Sequence, residues 1–367
     1  MAGKTHEPKI NELFKRMPAL EASDLHLKVG NPPLFRVDGE LRRTKAAPLR
    51  EGQVEELVSD WLGPEALDRL RDRGNLDLAH EFDGGRVRVA IFLQRGRASL
   101  AARLVKMRIP TLEELHLPKV IERVSDLNGG LVLACGITGA GKSTTLAALL
   151  DVINRKYACH VLTFEDPIEY VYSDRLSIIN QREFGLDFFS WPDAIRAGVR
   201  ADPDVMLIGE MRDDETFQLG LTASETGHLV LGTMHTSSAA STIGRILDLF
   251  PPDKHKLIRQ SLAFSLKAII SQRLVPSFHP EIGRVPAVEV MWVNAPIRKA
   301  IEEGEDAKIT EMITQGEEEG MQSWTKSFVD LIRADLIERK VAREHAPNRD
   351  ALEMALKGIS FRTSSLG

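Results

Sequence analysis

Between the apolar run LVLAC and the helix-like LAALL lies GITGAGKSTT, Gly136 to Thr145. Gly136 and Gly141 are separated by four residues, and Lys142 and Ser143 follow at once. That spacing suits phosphate chemistry. A glycine-rich turn from a strand into a helix aims several backbone N–H groups and the positive helix end at one point, where a phosphate chain is stabilised. Gly136, Thr138, Gly139, Ala140, Gly141, Lys142, Ser143 and Thr144 are therefore candidate nucleotide-binding residues. Lys142 is expected to reach the β- and γ-phosphates, and the Ser143 hydroxyl to sit on Mg²⁺. A merely structural glycine turn would require neither the lysine nor the serine. ATP and Mg²⁺ are the expected ligands.

Hydrolysis needs more than a cradle: a carboxylate must organise the metal shell or the attacking water. DVMLIGE, Asp204 to Glu210, is an apolar strand ending in Gly-Glu, expected beside the P-loop strand with Glu210 at its C-terminal end. Glu210 is thus a candidate Mg²⁺-binding and catalytic residue, although a solvated strand end looks the same in isolation. TFEDPIEYVY, Thr163 to Tyr172, places Glu165, Asp166 and Glu169 after HVLTF, at the sheet end where α/β proteins bind ligands. Glu165 is the candidate general base or water-orienting group, and Asp166-Pro167 reads as turn geometry. TGHLVLGTMHTSSA carries two imidazoles, His228 at the start of a third apolar strand and His235 at its far end. His235 is placed to reach a γ-phosphate, and the strand between them keeps His228 from the same atom. No third ligand type accompanies them at metal-binding spacing.

The elements that must position these groups alternate. From Asn128, LVLACGI, a helix, HVLTFED, a loop, a helix near Ala194 to Arg200, DVMLIGE, a helix and HLVLGTMH follow in turn. This is the pattern of a parallel sheet covered on both faces, expected over 128–275. Residues 22–108 read as a small α+β domain, with strands in DLHLKV, PLFRVDGEL, LDLAHEF, RVRVAIFLQ and SLAARLVKM and a helical stretch from Val54 to Arg71. Residues 1–21 read as an N-terminal extension, and 109–127, with two prolines, as a linker ending in a short helix. A strand pair around VPAVEVMWV and then helices make up 276–367, with Thr363 to Gly367 frayed.

Composition narrows the class. A chain of 367 residues has room for about two or three domains, and 43% hydrophobic with 28% charged residues describes a soluble globular protein. A net charge of −5 and the lack of a DNA-binding motif argue against nucleic acid as a partner. MAGKTHEPKINELFKRM lacks the apolar centre of a secretory signal, and no stretch approaches the roughly 18 apolar residues of a membrane span. A cytoplasmic or peripheral location is expected. Cys135 and Cys159 lie in apolar strand-like runs and read as small buried residues of a reducing compartment. With no CxxC pair, a four-thiolate zinc site is not expected.

Together the P-loop, the carboxylate box TFEDPIEY, the strand DVMLIGEMRD and the histidine box TGHLVLGTMHTSSA resemble the secretion ATPase superfamily, which drives type II secretion, type IV pili and related machines. The resemblance is more detailed for its pilus-retraction branch. ASDLHLKVGNPPLFRVDG, ADPDVMLIGEMRDDET, TASETGHLVLGTMHTSSAASTIGRILDLFP, GRVPAVEV and GMQSWTKSFVDLIRADLI carry it from about Ala22 to Ile337. It implies a homo-hexameric ring whose chains each join an N-terminal PAS-like α+β domain to a RecA-like P-loop ATPase domain with a helical C-terminal extension. ATP would lie between the two domains near the subunit boundary, with N-terminal arginines on its phosphates. Arg88, Arg95 or Arg97, and Arg103 occupy the matching region. A further implication is a partner, an inner-membrane platform protein of the pilus, met at the cytoplasmic face of that membrane.

Retraction of a pilus is the leading reading. Extension and secretion motors generally carry a tetracysteine zinc insertion and an additional N-terminal domain, and this chain shows neither. An accessory subunit that hydrolyses weakly is a further alternative, opposed by the retained Lys142, Ser143, Glu165, Glu210 and His235. The retraction branch also bears a C-terminal AIRNLI motif. APIRKAI, Ala295 to Ile301, resembles it at Ile297, Arg298 and Ile301 and departs at Pro296, Lys299 and Ala300. Ile297 and Ile301, four apart, would share one helix face with Arg298 beside Ile301, forming either a coupling surface or a docking contact with the core.

Overall fold

A computed structural model of the chain describes residues 9–105 and 107–358. The expectation for Thr363 to Gly367 falls outside them. Two compact units are present, one running to Arg108 and taking in Ile168–Val171, the other comprising Ile109–Pro167 and the chain from Tyr172.

The first unit contains α1 (Ile10–Ala19), β1 (Ala22–Lys28), β2 (Leu34–Val37), β3 (Glu40–Arg43), α2 (Gln53–Leu62), α3 (Glu65–Arg73), β4 (Asn75–Phe82), β5 (Gly85–Gln94) and β6 (Arg97–Leu104). Its strands pair antiparallel in the order β3-β2-β1-β6-β5-β4. Alternation along the strands decides the faces. Val87, Val89 and Ile91 of β5 and Ala98, Leu100 and Ala102 of β6 are buried in one core, and Arg88 and Arg103, out of phase with them, are exposed. The expected N-terminal extension is corrected here. Ile10, Phe14 and Met17 recur at helical spacing, and α1 lays that stripe into the same core. The helical stretch from Val54 is two helices, parted at Gly63, whose φ of 84° is left-handed, and at Pro64.

The second unit begins with the stretch whose two prolines suggest a linker. It is not one: Leu112, Leu117, Ile121 and Val124 are buried in the unit's main core. There follow β7 (Gly130–Cys135), α4 (Lys142–Lys156), β8 (His160–Glu165), β9 (Ile178–Glu183), α5 (Trp191–Val199), β10 (Val205–Ile208), α6 (Asp214–Glu225), β11 (Leu229–Met234), α7 (Ala239–Leu247), α8 (His255–Ser265), β12 (Leu266–Pro276) and β13 (Arg284–Trp292). Helices α9 (Ala295–Glu303), α10 (Ile309–Gln315), α11 (Trp324–Arg333), α12 (Arg339–His345) and α13 (Arg349–Leu356) complete it. The sheet order is β13-β12-β7-β11-β10-β8-β9, parallel throughout except for β13. Strand β9 occupies a stretch that reads as loop; its polar INQRE pattern suits a partly exposed edge strand. The boundary expected at 275 is also corrected, because β12 runs through it and the β12–β13 hairpin hydrogen-bonds into the sheet beside β7. The outer end of that hairpin, Val275, Val285 and Ala287, packs instead with Trp324, Phe328 and Ile337 in a separate apolar cluster. Among the described residues no helix is long and apolar enough to cross a membrane.

Glu289 on β13 is 2% exposed, and its carboxylate accepts the Ala239 N–H at the start of α7 at 2.7 Å. Burial pushes this carboxyl up from its ordinary 4.5 to about 7. Between those two values the folded chain keeps a proton that the unfolded chain has lost, so the contribution is whole below pH 4.5 and lost as pH rises to about 7. The loss amounts to about 3 kcal/mol. In urea unfolding between about pH 5 and 8 the wild type should therefore carry a fall of stability with pH that Glu289→Gln lacks. An unchanged slope in the variant would rule Glu289 out as its source.

Candidate active site

The parallel strands bring four loops to one sheet edge. β7 ends in the P-loop, β11 in His235, β10 in Gly209-Glu210, and β8 in Glu165. Their order along that edge follows the sheet. Met234 pairs with Cys135 across β11 and β7, and Gly136 N–H donates to the Met234 carbonyl at 3.3 Å, so His235 follows a residue bonded to the P-loop's first glycine. Ile208 pairs with Phe164, and Gly209 N–H donates to the Phe164 carbonyl at 2.8 Å, which sets the Glu210 loop beside Glu165. One expectation needs correction. Strand β10 does not adjoin β7; β11, which leads into His235, lies between them, and β12 flanks β7 on its other side. Glu210 still meets His235, Oε1 lying 3.2 Å from Nε2. Arg212 binds the same carboxylate through two guanidinium nitrogens.

Local sequence explains the cradle. Gly136 and Gly141 have φ of 149° and 90°, and a Cβ on either would come within 2.5 Å of the Gln272 carbonyl or 2.8 Å of its Nε2. Larger residues are excluded at both positions. Ile137, Thr138, Gly139 and Ser143 are exposed, whereas Lys142 is 8% exposed and its ammonium donates to the carbonyls of Gly136 at 2.8 Å and Ile137 at 3.2 Å. From Thr145 the helix turns apolar, with Leu146, Leu149, Leu150 and Ile153 buried, which anchors α4 and fixes where its N-terminus points.

Glu165 Oε1 accepts from the Thr163 hydroxyl at 2.7 Å and from Gln181 Nε2 at 3.0 Å. A carboxylate held by two donors is oriented for a role at the site. His228 is elsewhere: its Nδ1 lies 2.9 Å from the Ala223 carbonyl and 3.2 Å from the Thr226 hydroxyl, closing the last turn of α6. His228 and His235 thus flank opposite ends of β11 and do not meet within the chain. Among the described residues no three His, Cys, Asp or Glu side chains converge as a metal cage. A serine hydroxyl and a glutamate are hard oxygen donors of the kind that Mg²⁺ takes from protein while phosphate and water fill its other positions, so Ser143 and Glu210 fit that ion.

In the first unit Arg88 and Arg103 stand opposite each other on β5 and β6, and Arg103 pairs in turn with Asp24 on β1. Arg103 Nε reaches Asp24 Oδ1 at 2.8 Å, and Arg36 lies 3.6 Å from the same carboxylate. Burial opposes the charge on Asp24, but hydrogen bonds from Ser23 and Arg103 outweigh it and hold the carboxyl below its ordinary value. Arg95 lies in the β5–β6 turn with a φ of 53°, and Arg97 opens β6, bonded to Glu51 at 2.9 Å. Six residues along β5 separate that turn from Arg88, about 20 Å. The Arg88–Arg103 pair and the arginines at the turn are therefore two separate groups on this sheet.

In the C-terminal region Ile297 and Ile301 are fully buried in the main core and Arg298 is exposed. The isoleucines dock α9, so they are not part of an exposed coupling surface. Pro296, Lys299 and Ala300, where the motif departs, instead line an open cleft with Lys308 and Met312. Sequence reasoning misses Arg212 and Gln272. The Met-Arg-Asp after Glu210 offers a signal for Arg212; nothing local marks Gln272, which is 131 residues beyond Gly141.

Comparison with known proteins bears on the family and the fold. The profile of the type II/IV secretion system protein family matches residues 4–321. The type IV pilus retraction ATPase PilT of Pseudomonas aeruginosa is 43% identical over 92% of this chain and 98% of its own length. A twitching motility protein of Neisseria gonorrhoeae is 38% identical, over 87% of this chain and 86% of its own. The crystal structure of the pilus retraction motor PilT with bound ADP superposes with a TM-score of 0.86 at 40% identity, covering 95% of this chain and 99% of that one. With most of its length matched in sequence and fold, this chain belongs to the type II/IV secretion system protein family.

Proposed function

We propose that this chain is an ATP-hydrolysing motor that powers retraction of type IV pili, acting as a homo-hexamer at the cytoplasmic face of the inner membrane. The carrying observation is the sheet edge that sets the Lys142 cradle beside the bonded pair Glu210 and His235, in a chain 43% identical to a retraction ATPase. Gly136 to Thr144 cradle the nucleotide, with Lys142 on the outer phosphates. Mg²⁺, bound by Ser143 and Glu210, would neutralise charge building on the phosphates. Glu165 or Glu210 orients the attacking water, and His235, tied to Glu210, senses or contacts the γ-phosphate. The antiparallel sheet of the first unit supports the PAS-like reading, and the parallel P-loop sheet of the second the RecA-like one. Arg88 and Arg103, paired on one sheet face, are the arginines best arranged to serve a phosphate together.

The motor reading is tested in cells: removing the gene should abolish twitching and leave surface pili in excess, and restoring it should reverse both. Pili that still retract without it would overturn the reading. The output surface has its own test. Arg298 is exposed on α9, so Arg298→Ala should shift stability by less than about 0.5 kcal/mol and leave ATP turnover intact. Pilus retraction measured in cells is expected to fail with this variant, through loss of contact with the platform protein. Normal retraction by stable Arg298→Ala protein would remove Arg298 from the coupling surface.

A further inference from the structure

A buried side chain of β12 meets the P-loop from that strand's side. Gln272 follows the last residue of β12 paired with β7, Ser271 opposite Cys135, and so lies directly beside Gly136. It is 3% exposed. Its Nε2 donates to the Ala140 carbonyl at 2.6 Å, and its Oε1 accepts from the Thr145 hydroxyl at 2.8 Å. The two partners fix the amide's orientation, since a carbonyl only accepts. One residue therefore bridges the loop and the first turn of α4. Its backbone and side chain also form the wall against which Gly136 and Gly141 pack.

We propose that Gln272 is a positioning residue for the phosphate cradle. In a trans peptide the C=O and N–H point to opposite sides. Fixing the Ala140 carbonyl against β12 thereby turns the Gly141 N–H away from β12, to the side open to an anion. The Thr145 bond holds the helix N-terminus in the same frame, so the loop amides and the positive helix end are aligned before nucleotide arrives. An amide is suited to this task because it donates and accepts at once, within reach of one side chain and without adding charge beside Lys142.

The inference rests on the nucleotide-binding reading, and its test separates the two. Gln272→Met keeps the volume and removes both hydrogen bonds. Amide hydrogen exchange of the full chain without nucleotide should accelerate at least about tenfold at Ala140 and Thr145, while amides of β10 and β11 keep wild-type rates. ADP titrated into the same protein should bind at least about tenfold more weakly than to wild type. Thr145→Val should show a smaller loss in both measurements, and Thr145→Ser, which keeps the hydroxyl, should restore them. Wild-type exchange at the loop and an ADP affinity within twofold of wild type would overturn the positioning role, as would a Gln272→Met protein that melts earlier yet binds ADP normally. Should Gln272→Met fail to fold, equal behaviour of Thr145→Val and wild type in both measurements overturns it. Failure of the wild-type chain to bind ADP would count against the nucleotide reading instead, and the exchange measurement then decides the clamp by itself.

Discussion

Lys142→Ala is expected to lower ATP turnover by at least about 10³-fold while the protein stays folded. The Lys142 side chain is largely buried, and two carbonyls that its ammonium meets, Gly136 at 2.8 Å and Ile137 at 3.2 Å, belong to the loop it serves. The side chains that secure α4, Leu146, Leu149, Leu150 and Ile153, are untouched. A change of melting temperature limited to a few degrees is therefore expected. Turnover should suffer far more, because phosphoryl transfer is accelerated mainly by charge placed in advance where negative charge develops. Steady-state ATPase rates on protein shown to be folded provide the check. Turnover within tenfold of wild type would take Lys142 out of the reaction.

The parts of this site that are legible in the sequence are those whose determinants are local. Strand β7, the P-loop and the start of α4 are contiguous, so the spacing of Gly136, Gly141, Lys142 and Ser143 carries their geometry by itself. The strand ends bearing Glu165, Glu210 and His235 are equally local. Their lateral order is not, since nothing in DVMLIGE or HLVLGTMH says which strand pairs with β7, and the place expected for β10 belongs to β11. The same limit hides Gln272, whose importance comes from Ala140 and Thr145 more than a hundred residues earlier. Boundaries fail for a related reason. Prolines in 109–127 suggest a linker, yet Leu112, Leu117, Ile121 and Val124 find their burial in a sheet formed later in the chain. His228 differs in that its bonds to Ala223 and Thr226 are short-range, although the sequence reading places it only at the start of a strand.

Glu210→Gln is the sharpest test of the catalytic edge. The substitution preserves shape and leaves an acceptor oxygen for His235, which lies 3.2 Å away, while it removes the charge and turns one acceptor oxygen into an NH₂ donor. A glutamate that orders Mg²⁺ and the attacking water loses that ability as a neutral amide, so hydrolysis should slow by about 10²-fold or more. Nucleotide is held mainly by the cradle, so its affinity should stay within about threefold. The fold should hardly respond. Arg212 loses its counter-charge, but this guanidinium is largely exposed, and an exposed ion pair contributes less than about 1 kcal/mol. Three measurements on one preparation therefore separate the possibilities: the melting temperature, the dissociation constant for ADP, and kcat with KM. A fall in kcat with KM and affinity preserved identifies an interaction made as the reaction proceeds. If affinity and kcat fall together, or the melting temperature drops by many degrees, Glu210 serves instead to tie the β10 and β11 loops through His235, and the water-orienting role passes to Glu165. Glu165→Gln measured alongside makes that transfer visible, because only one of the two variants should then retain binding and lose hydrolysis.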